Sequence, residues 1–151
     1  MTADSLVGSA MALALIKVRD TGISLKHEAA GAGALVEVDP VQIEQVLMNL
    51  LRNAIDALLT NPPGAPRCLT IHTRDVAEEG VVEFCVSDTG PGVAADLCAR
   101  LFTPFFTTKP SGMGMGLSVC RRIVEAHGGT IEAECGESIG ATFRIRLPRH
   151  G

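Results

Sequence analysis

Apolar and polar residues repeat along this chain with the two spacings that distinguish helices from strands. Residues 4–19 are rich in Ala and Leu and predict a helix, which Thr21 and Gly22 end. Residues 23–28 alternate in the way that is typical of a strand. A glycine turn follows, and residues 34–38 predict a second short strand. We expect these two strands to form a hairpin.

The clearest helix signal covers residues 40–60. Asp39 is a helix-capping residue type and Pro40 is favoured at the first helical position, so the helix start is predicted locally. Apolar residues occupy about half of the helical wheel; they are Ile43, Val46, Leu47, Leu50, Leu51, Ala54 and Leu58. The other side carries Gln42, Gln45, Asn49, Asn53 and Asp56. The helix is therefore amphipathic, with one side facing a core.

The second half of the chain predicts four strands and one helix. The strands are residues 68–75, 81–87, 130–135 and 141–147, and the helix is residues 116–127. Between them, residues 88–116 hold five glycines and three prolines without a long period, which is typical of a functional loop. The whole order predicts an α+β fold, a two-layer α/β sandwich with helices on one face of a mostly antiparallel mixed sheet.

Composition and charge exclude several classes of protein. Hydrophobic residues make up 46% and charged residues 20% of 151 residues, which describes one globular domain rather than a disordered chain. Thirteen basic against seventeen acidic residues, with no basic run longer than two, argue against nucleic acid as a partner. Five scattered cysteines without a C-x-x-C pair, and no apolar run near the roughly 20 residues of a bilayer span, predict a reducing, cytoplasmic location.

Two asparagines of the amphipathic helix are the first candidate for chemistry. Asn49 and Asn53 are four residues apart and therefore lie on the same side of a helix. Amide oxygens are hard, neutral ligands that suit Mg²⁺ when a substrate's phosphates supply the negative charge. The alternative is a polar face that simply contacts solvent. The spacing alone leaves both interpretations open.

An acidic turn after a strand is the second candidate. Asp88 ends the apolar strand 81–87, and Gly90 and Gly92 follow it, with Val93 next. A buried carboxylate can accept a hydrogen bond from an exocyclic amine such as that of adenine, and glycines let the backbone approach a flat ring. An ordinary β-turn is the alternative, because Asp-x-Gly is common turn chemistry.

Two further segments of the loop have the composition of a lid and of a phosphate site. Residues 112–117 place alternate glycines at the start of a helix, where free backbone N–H groups bind anions. No Lys-Ser/Thr pair follows, which excludes a P-loop. Residues 101–109 hold three phenylalanines and Lys109, which could anchor a closing lid and neutralise a phosphate. The alternative for residues 112–117 is a flexible hinge, and the alternative for residues 101–109 is a small secondary core.

These four clusters, in this order, resemble the catalytic ATP-binding domain of sensor histidine kinases. The wider superfamily also holds gyrase, the ninety-kilodalton heat-shock chaperones and the mismatch-repair ATPases. The resemblance covers nearly all of residues 20–148, and in detail it is most similar to the nitrogen-regulation and oxygen-sensing kinases. Its boxes are the asparagine box at 45–54, the glycine boxes at 88–92 and 112–117, the phenylalanine box at 102–106 and a last element at 140–143.

The resemblance implies ATP and Mg²⁺ as ligands and assigns roles to residues. Asp88 would accept from the adenine amine, with Thr142 supporting the same pocket through its hydroxyl. Asn53 would bind Mg²⁺, while Asn49 would contact the phosphates and, with Asn53 and Lys109, form the catalytic set. The other implied ATP-binding residues are Asp56, Gly90, Gly92, Val93, Phe102, Thr107, Thr108, Gly112, Met113, Gly114, Met115, Gly116 and Leu117.

This sequence departs from the family's pattern at Asp56. Many members carry Lys or Arg three residues after the second asparagine, whereas this chain has an acidic residue there. Two roles stay open for Asp56: it helps to hold Mg²⁺ through a water molecule, or it only completes the polar side of the helix.

The resemblance also predicts a reaction and partners. Hydrolysing relatives carry a glutamate in place of Asn49, and an amide cannot take a proton from water. We therefore expect slow hydrolysis and transfer of the γ-phosphoryl group to a histidine of a separate dimerisation domain. His27 lies in a strand-like run and not in a helix, so it is not the expected acceptor.

The predicted domain division and assembly follow from the same resemblance. Residues 1–19 would end a linker helix from a dimerisation domain outside this chain, and residues 20–151 would form the ATP-binding domain. Partners would be that dimerisation domain and a response regulator receiver domain. The isolated domain would be a monomer, and the whole kinase a homodimer that is either soluble or anchored in the inner membrane. The alternatives are a switch or anti-sigma serine kinase and a non-catalytic nucleotide-binding module of the same superfamily.

Overall fold

The computed structural model describes residues 2–30, 33–62, 64–90, 116–135 and 140–150. Three α-helices, five strands and one short 3-10 helix, Ala77–Glu79, occur in these ranges. In chain order the α-helices and strands are α1 (Ala3–Lys17), β1 (Ser24–Ala30), α2 (Pro40–Leu59), β2 (Cys68–Val76), β3 (Val81–Asp88), α3 (Gly116–Ala126), β4 (Thr130–Cys135) and β5 (Ala141–Pro148). Within the described ranges, no helix is both long enough and apolar enough to cross a membrane.

The five strands form one mixed sheet in the order β1-β2-β3-β5-β4. β1 and β2 are parallel, and the other three neighbouring pairs are antiparallel. Helix α2 connects the two parallel strands, because parallel neighbours need a long crossover and cannot be joined by a tight turn. The prediction of a mostly antiparallel mixed sheet is confirmed.

The predicted hairpin between residues 23–28 and 34–38 is wrong. With the described parts of the chain, residues 34–38 form only two isolated bridges, Leu35 with Thr2 and Val36 with Arg149. β1 takes its partner from β2 instead, with Leu25 opposite Leu69. The second segment therefore joins the start of α1 to the last part of the chain.

Helix α2 is formed as its sequence predicts. The Asp39 Oδ1 accepts hydrogen bonds from the backbone N–H groups of Val41 and Gln42, at 3.0 Å and 3.4 Å, and Pro40 is the first helical residue. The apolar side of the helix is buried; its buried residues are Ile43, Val46, Leu47, Leu50, Leu51, Ala54, Ile55 and Leu58. The polar side of the same helix is thereby held at a fixed position above the sheet.

Helix α1 shares this core. Its residues Ala3, Leu6, Val7, Ala10 and Ala14 are buried, and the helix packs against α2. A boundary at residue 20 does not separate two packing units, since α1 and α2 contribute to one apolar cluster. The predicted continuation into a dimerisation domain concerns residues outside this chain and stays a prediction.

The two faces of the sheet have opposite chemistry. Side chains of alternate residues point to opposite faces of a strand, and on β3 Phe84 and Val86 join the apolar core on the side of the helices. No described helix lies on the other face, the uncovered face, which carries Glu83, Cys85 and Ser87 of β3. By this alternation Asp88, the last residue of β3, belongs to the helix side.

Candidate functional site

Asp88 is a buried carboxylate at the end of β3. It is 7% exposed, and its Oδ1 accepts a hydrogen bond from the backbone N–H of Gly90 at 2.8 Å. Burial raises the pKa of Asp88, and backbone hydrogen bonds from Gly90 and Ala141 oppose this effect. No described Lys, Arg or His forms an ion pair with it. Such a carboxylate is suited to accept from a neutral donor on a ligand.

Two glycines bring backbone close to Asp88. A Cβ atom on Gly90 would lie 2.9 Å from the Asp88 Oδ1 and 3.2 Å from the Cβ of Ala57 on α2. Gly140, just before β5, has φ +85°, and a Cβ there would overlap the Asp88 carbonyl oxygen. The backbone of Gly90 and Ala141 thus donates to the carboxylate, while Gly140 lies against the backbone of Asp88.

The two asparagines of α2 continue from this point along the helix. Asn49, Asn53 and Ala57 are spaced by four residues, so they follow one side of α2 over about 12 Å at 1.5 Å per residue. Asn49 and Asn53 are partly buried. The Nδ2 of Asn49 donates to the Sγ of Cys120 on α3 at 3.6 Å. These three residues on one side of α2 therefore run from the Asp88 end of the site to Cys120, one turn after the start of α3.

Helix α3 begins at Gly116, where the sequence predicts the end of a phosphate-binding loop. Leu117 is partly buried and packs against the core, so the first turn of α3 is attached to the body of the domain. The N-terminus of a helix presents unpaired N–H groups and favours anions. Asp56 is partly buried on α2 and has an interaction partner, and the structure does not decide between its two predicted roles.

Thr142 is placed differently from the prediction. It is opposite Ser87 in the β3–β5 register, and its Oγ1 lies 3.0 Å from the Ser87 Oγ in a hydrogen bond. Because Ser87 and Asp88 are consecutive in a strand, their side chains point to opposite faces. The Thr142 hydroxyl therefore lies on the uncovered face, and the prediction that it supports the Asp88 pocket is wrong. Ala141 holds the position beside Asp88.

Ten predicted site residues lie outside the described residues. They are Gly92, Val93, Phe102, Thr107, Thr108, Lys109, Gly112, Met113, Gly114 and Met115. Their roles stay predictions.

The described residues also bear on the predicted Mg²⁺ and on the histidines. No group of three or more His, Cys, Asp or Glu side chains among them could hold a metal ion. The amide oxygens of Asn49 and Asn53 fit Mg²⁺ only together with oxygens from a phosphate ligand. His27 is held on both ring nitrogens, with Nε2 3.2 Å from the Thr73 Oγ1 and Nδ1 3.7 Å from the Asp4 Oδ1.

Sequence reasoning missed two contacts of this region. Cys120 occupies an apolar position of α3, and nothing in its spacing indicates a contact with Asn49. His127, at the end of α3, has its Nδ1 2.8 Å from the Ile123 carbonyl oxygen, and its Nε2 accepts from the Asp39 N–H at 3.2 Å. Both contacts join α2 to α3, which are far apart in the sequence.

Comparison with known proteins agrees with this geometry. Residues 38–151 match the family model described as histidine kinase-, DNA gyrase B-, and HSP90-like ATPase. The sensor protein FixL of Bradyrhizobium diazoefficiens is 44% identical over 143 residues, which cover 95% of this chain and 28% of that protein. The sensor histidine kinase ZraS of Escherichia coli is 36% identical over 146 residues, covering 96% of this chain and 30% of that protein. The chain thus spans less than a third of either relative.

Solved structures of catalytic domains have the same fold. The nucleotide-free catalytic domain of the histidine kinase ThkA superposes with a TM-score of 0.85 at 34% identity, covering 99% of this chain and 93% of that one. Full-length ShkA in complex with AMPPNP has a TM-score of 0.85 at 26% identity and covers 99% of this chain and 30% of that one. The α+β fold, the buried Asp88, the two asparagines on α2 and the family match lead to one conclusion: the chain belongs to the histidine kinase-, DNA gyrase B- and HSP90-like ATPase family, with sensor histidine kinases as its relatives.

Proposed function

We propose that this chain binds Mg-ATP and supplies the γ-phosphoryl group to a histidine on a separate dimerisation domain in two-component signalling. The observation that carries the proposal is the buried Asp88 carboxylate, held by the Gly90 N–H at 2.8 Å and without a described cation. A charged acceptor that is partly removed from water gains most from a ligand that brings an N–H donor.

The donor required at Asp88 selects among purines. Adenine presents an exocyclic amine at the position where guanine and hypoxanthine present a carbonyl oxygen. A carbonyl oxygen facing the Asp88 carboxylate would leave two buried acceptors without a proton between them. The site therefore favours ATP over GTP and inosine triphosphate.

The positions of Asn49, Asn53 and Ala57 along one side of α2 support a direction for the bound nucleotide. With adenine at Asp88, beside Ala57, the phosphates would extend past Asn53 and Asn49 toward the first turn of α3. Asn53 would hold Mg²⁺ through its amide oxygen together with the phosphate oxygens. When bound, Mg²⁺ neutralises charge that develops on the transferred phosphoryl group. Asn49 would orient the phosphates, and Lys109 would add a positive charge.

Transfer rather than hydrolysis is supported by the chemistry of Asn49. Its amide does not accept a proton at neutral pH, so it cannot activate a water molecule as a general base. Catalysis would then depend on positioning and charge neutralisation, with the acceptor histidine supplied by another domain. A structure of ThkA with the response regulator protein TrrA, which resembles this chain with a TM-score of 0.81 at 32% identity, supports a receiver domain as the later partner.

Calorimetric titration of the chain with ATP, with and without Mg²⁺, tests the nucleotide proposal. We expect micromolar-range binding of ATP and at least about tenfold weaker binding of inosine triphosphate, since tenfold corresponds to about 1.4 kcal/mol. Asp88→Asn should lose most of the affinity. Asp75→Asn is the matched control, because Asp75 pairs with Arg149 at 2.8 Å away from the site. Equal affinity for both nucleotides, or an unaffected Asp88→Asn variant, would contradict the proposal.

The transfer step is tested with a separate acceptor. The chain is incubated with Mg-ATP and the isolated dimerisation domain of FixL from Bradyrhizobium diazoefficiens, its relative at 44% identity. We expect acid-labile, base-stable phosphate on the acceptor, as for phosphohistidine, and slow phosphate release by the chain alone. Acid-stable phosphate on a serine would favour the serine kinase, and rapid phosphate release would argue against transfer as the main reaction.

A further inference from the structure

Helices α2 and α3 meet at a buried thiol that contacts an asparagine of the proposed nucleotide site. Cys120 of α3 is 0% exposed. Its Sγ accepts from the Asn49 Nδ2 at 3.6 Å and donates to the Val46 carbonyl oxygen at 3.8 Å. A chain of two weak hydrogen bonds therefore runs from the Asn49 side chain through the thiol to the backbone of α2.

The protonation state of the thiol agrees with these roles. Burial raises the pKa of Cys120 to about 11, and the hydrogen bond from Asn49 opposes this only in part. At neutral pH the sulfur therefore carries its proton, so the S–H can donate to Val46 while a sulfur lone pair accepts from Asn49. The thiol proton and one lone pair of the sulfur are then both used in hydrogen bonds within the protein.

This contact determines which way the Asn49 amide faces. An asparagine amide has its N–H donors on one side and its carbonyl oxygen on the other. With Nδ2 directed at Cys120, the carbonyl oxygen is turned away from the thiol and is available to a ligand. Without an acceptor at position 120, the amide could rotate by half a turn and present N–H donors instead.

We propose that Cys120 is a positioning residue, which holds the Asn49 carbonyl oxygen toward the Mg-phosphate part of the site and links this orientation to the first turns of α3. The inference rests on the proposed function. Cys120 lies four residues after Gly116, so it is one helical turn from the start of α3. The same helix that would receive the phosphates thus carries the atom that orients Asn49.

A double-mutant cycle tests the role. Cys120→Val removes the acceptor and keeps an apolar side chain of similar size, Cys120→Ser keeps an acceptor, and Asn49→Ala removes the amide. We expect Cys120→Val to weaken Mg-ATP binding by about 3–10-fold, roughly the net effect of one hydrogen bond, and to leave ATP binding in EDTA within about twofold. Cys120→Ser should retain most of the Mg-ATP affinity, and Cys120→Val should add no further loss in the Asn49→Ala background.

Control variants separate positioning from packing. Cys85→Val makes the same change at a cysteine of the uncovered sheet face and should leave both affinities unchanged. Thermal unfolding checks each variant, and if Cys120→Val does not fold, Cys120→Ala is compared with Cys120→Ser in the same way.

Equal losses with and without Mg²⁺, or additive losses in the cycle, would overturn the positioning role and leave the proposed function standing. A wild-type chain that binds no Mg-ATP would overturn both.

Discussion

Replacement of Gly90 by alanine tests whether the backbone must approach Asp88 as closely as the structure shows. The new Cβ would lie 2.9 Å from the Asp88 Oδ1, 3.2 Å from the Ala57 Cβ and 3.3 Å from the Ala57 carbonyl carbon. All three distances are shorter than ordinary van der Waals contacts. The carboxylate cannot move away freely, because moving it breaks the 2.8 Å hydrogen bond from the Gly90 N–H.

The expected loss of stability in Gly90→Ala follows from overpacking. Extra carbon atoms in a well-packed region cost about 1–3 kcal/mol. In a chain of 151 residues, each kcal/mol changes Tm by about 2–4 °C. We therefore expect Gly90→Ala to lower Tm by at least about 2 °C. It should also weaken ATP binding by about tenfold or more, since a hydrogen bond to a charged group contributes about 1.5–3 kcal/mol.

Gly8→Ala is the matched control. Gly8 lies on the exposed side of α1 with no atom within 4 Å of its added Cβ, so the same substitution there relieves only the low helix propensity of glycine. That should raise stability by about 0.5–1 kcal/mol. Thermal unfolding followed by far-ultraviolet circular dichroism, and ATP titration of both variants, measure the difference. If Gly90→Ala unfolds at the wild-type temperature and binds ATP normally while Gly8→Ala behaves as expected, the close approach is refuted.

Three further predictions concern other parts of the fold. Thr142→Val should leave ATP affinity within about twofold of wild type in the same titration, because its hydroxyl is bonded to Ser87 on the uncovered face; a tenfold loss, or about 1.4 kcal/mol, would contradict this placement. Burial acts to raise the pKa of Glu83, but hydrogen bonds from Cys85 and Arg146, with the charges of two arginines, lower the pKa below its ordinary value. The ionised Glu83 carboxylate therefore stabilises the fold above its unfolded pKa, and this stabilisation is lost as pH falls through its folded pKa. The difference in free energy of unfolding between wild type and Glu83→Gln, measured by denaturant unfolding, should therefore shrink from neutral to acid pH. Asp39→Ala should lower the free energy of unfolding by about 1 kcal/mol by removing the cap of α2, and no change in denaturant unfolding would show that the cap does not contribute.

Local signals explain the elements that sequence reasoning predicted correctly. The start of α2 depends on Asp39 and Pro40, which act within one turn of the chain. The turn between β2 and β3 contains Gly80 at φ +68°, a conformation that glycine adopts without strain. The roles proposed for Asp88, Asn49 and Asn53 also come from the sequence, because residue type and spacing are properties of the sequence, and these roles stay predictions.

The predictions that were wrong concern residues whose contacts lie far away in the sequence. Residues 34–38 have the composition of a strand, yet their bridges go to Thr2 and Arg149, about 30 and 110 positions away. The alternation of β5 does not show which side faces the helices, and the β3–β5 register places Thr142 beside Ser87. A one-residue shift in pairing would reverse every side chain of the strand.

The sequence by itself determined the helices, the strands of the second half, the apolar side of α2 and the residue types that suit adenine, Mg²⁺ and phosphate. These properties depend on periodicity, capping and side-chain chemistry over a few neighbouring residues. Only the tertiary structure decided that β1 pairs with β2, that Asp88 is buried beside Gly90, that Thr142 faces away from it, and that Cys120 contacts Asn49. Each of these depends on contacts between segments far apart in the chain, where pairing register and helix packing select the neighbours.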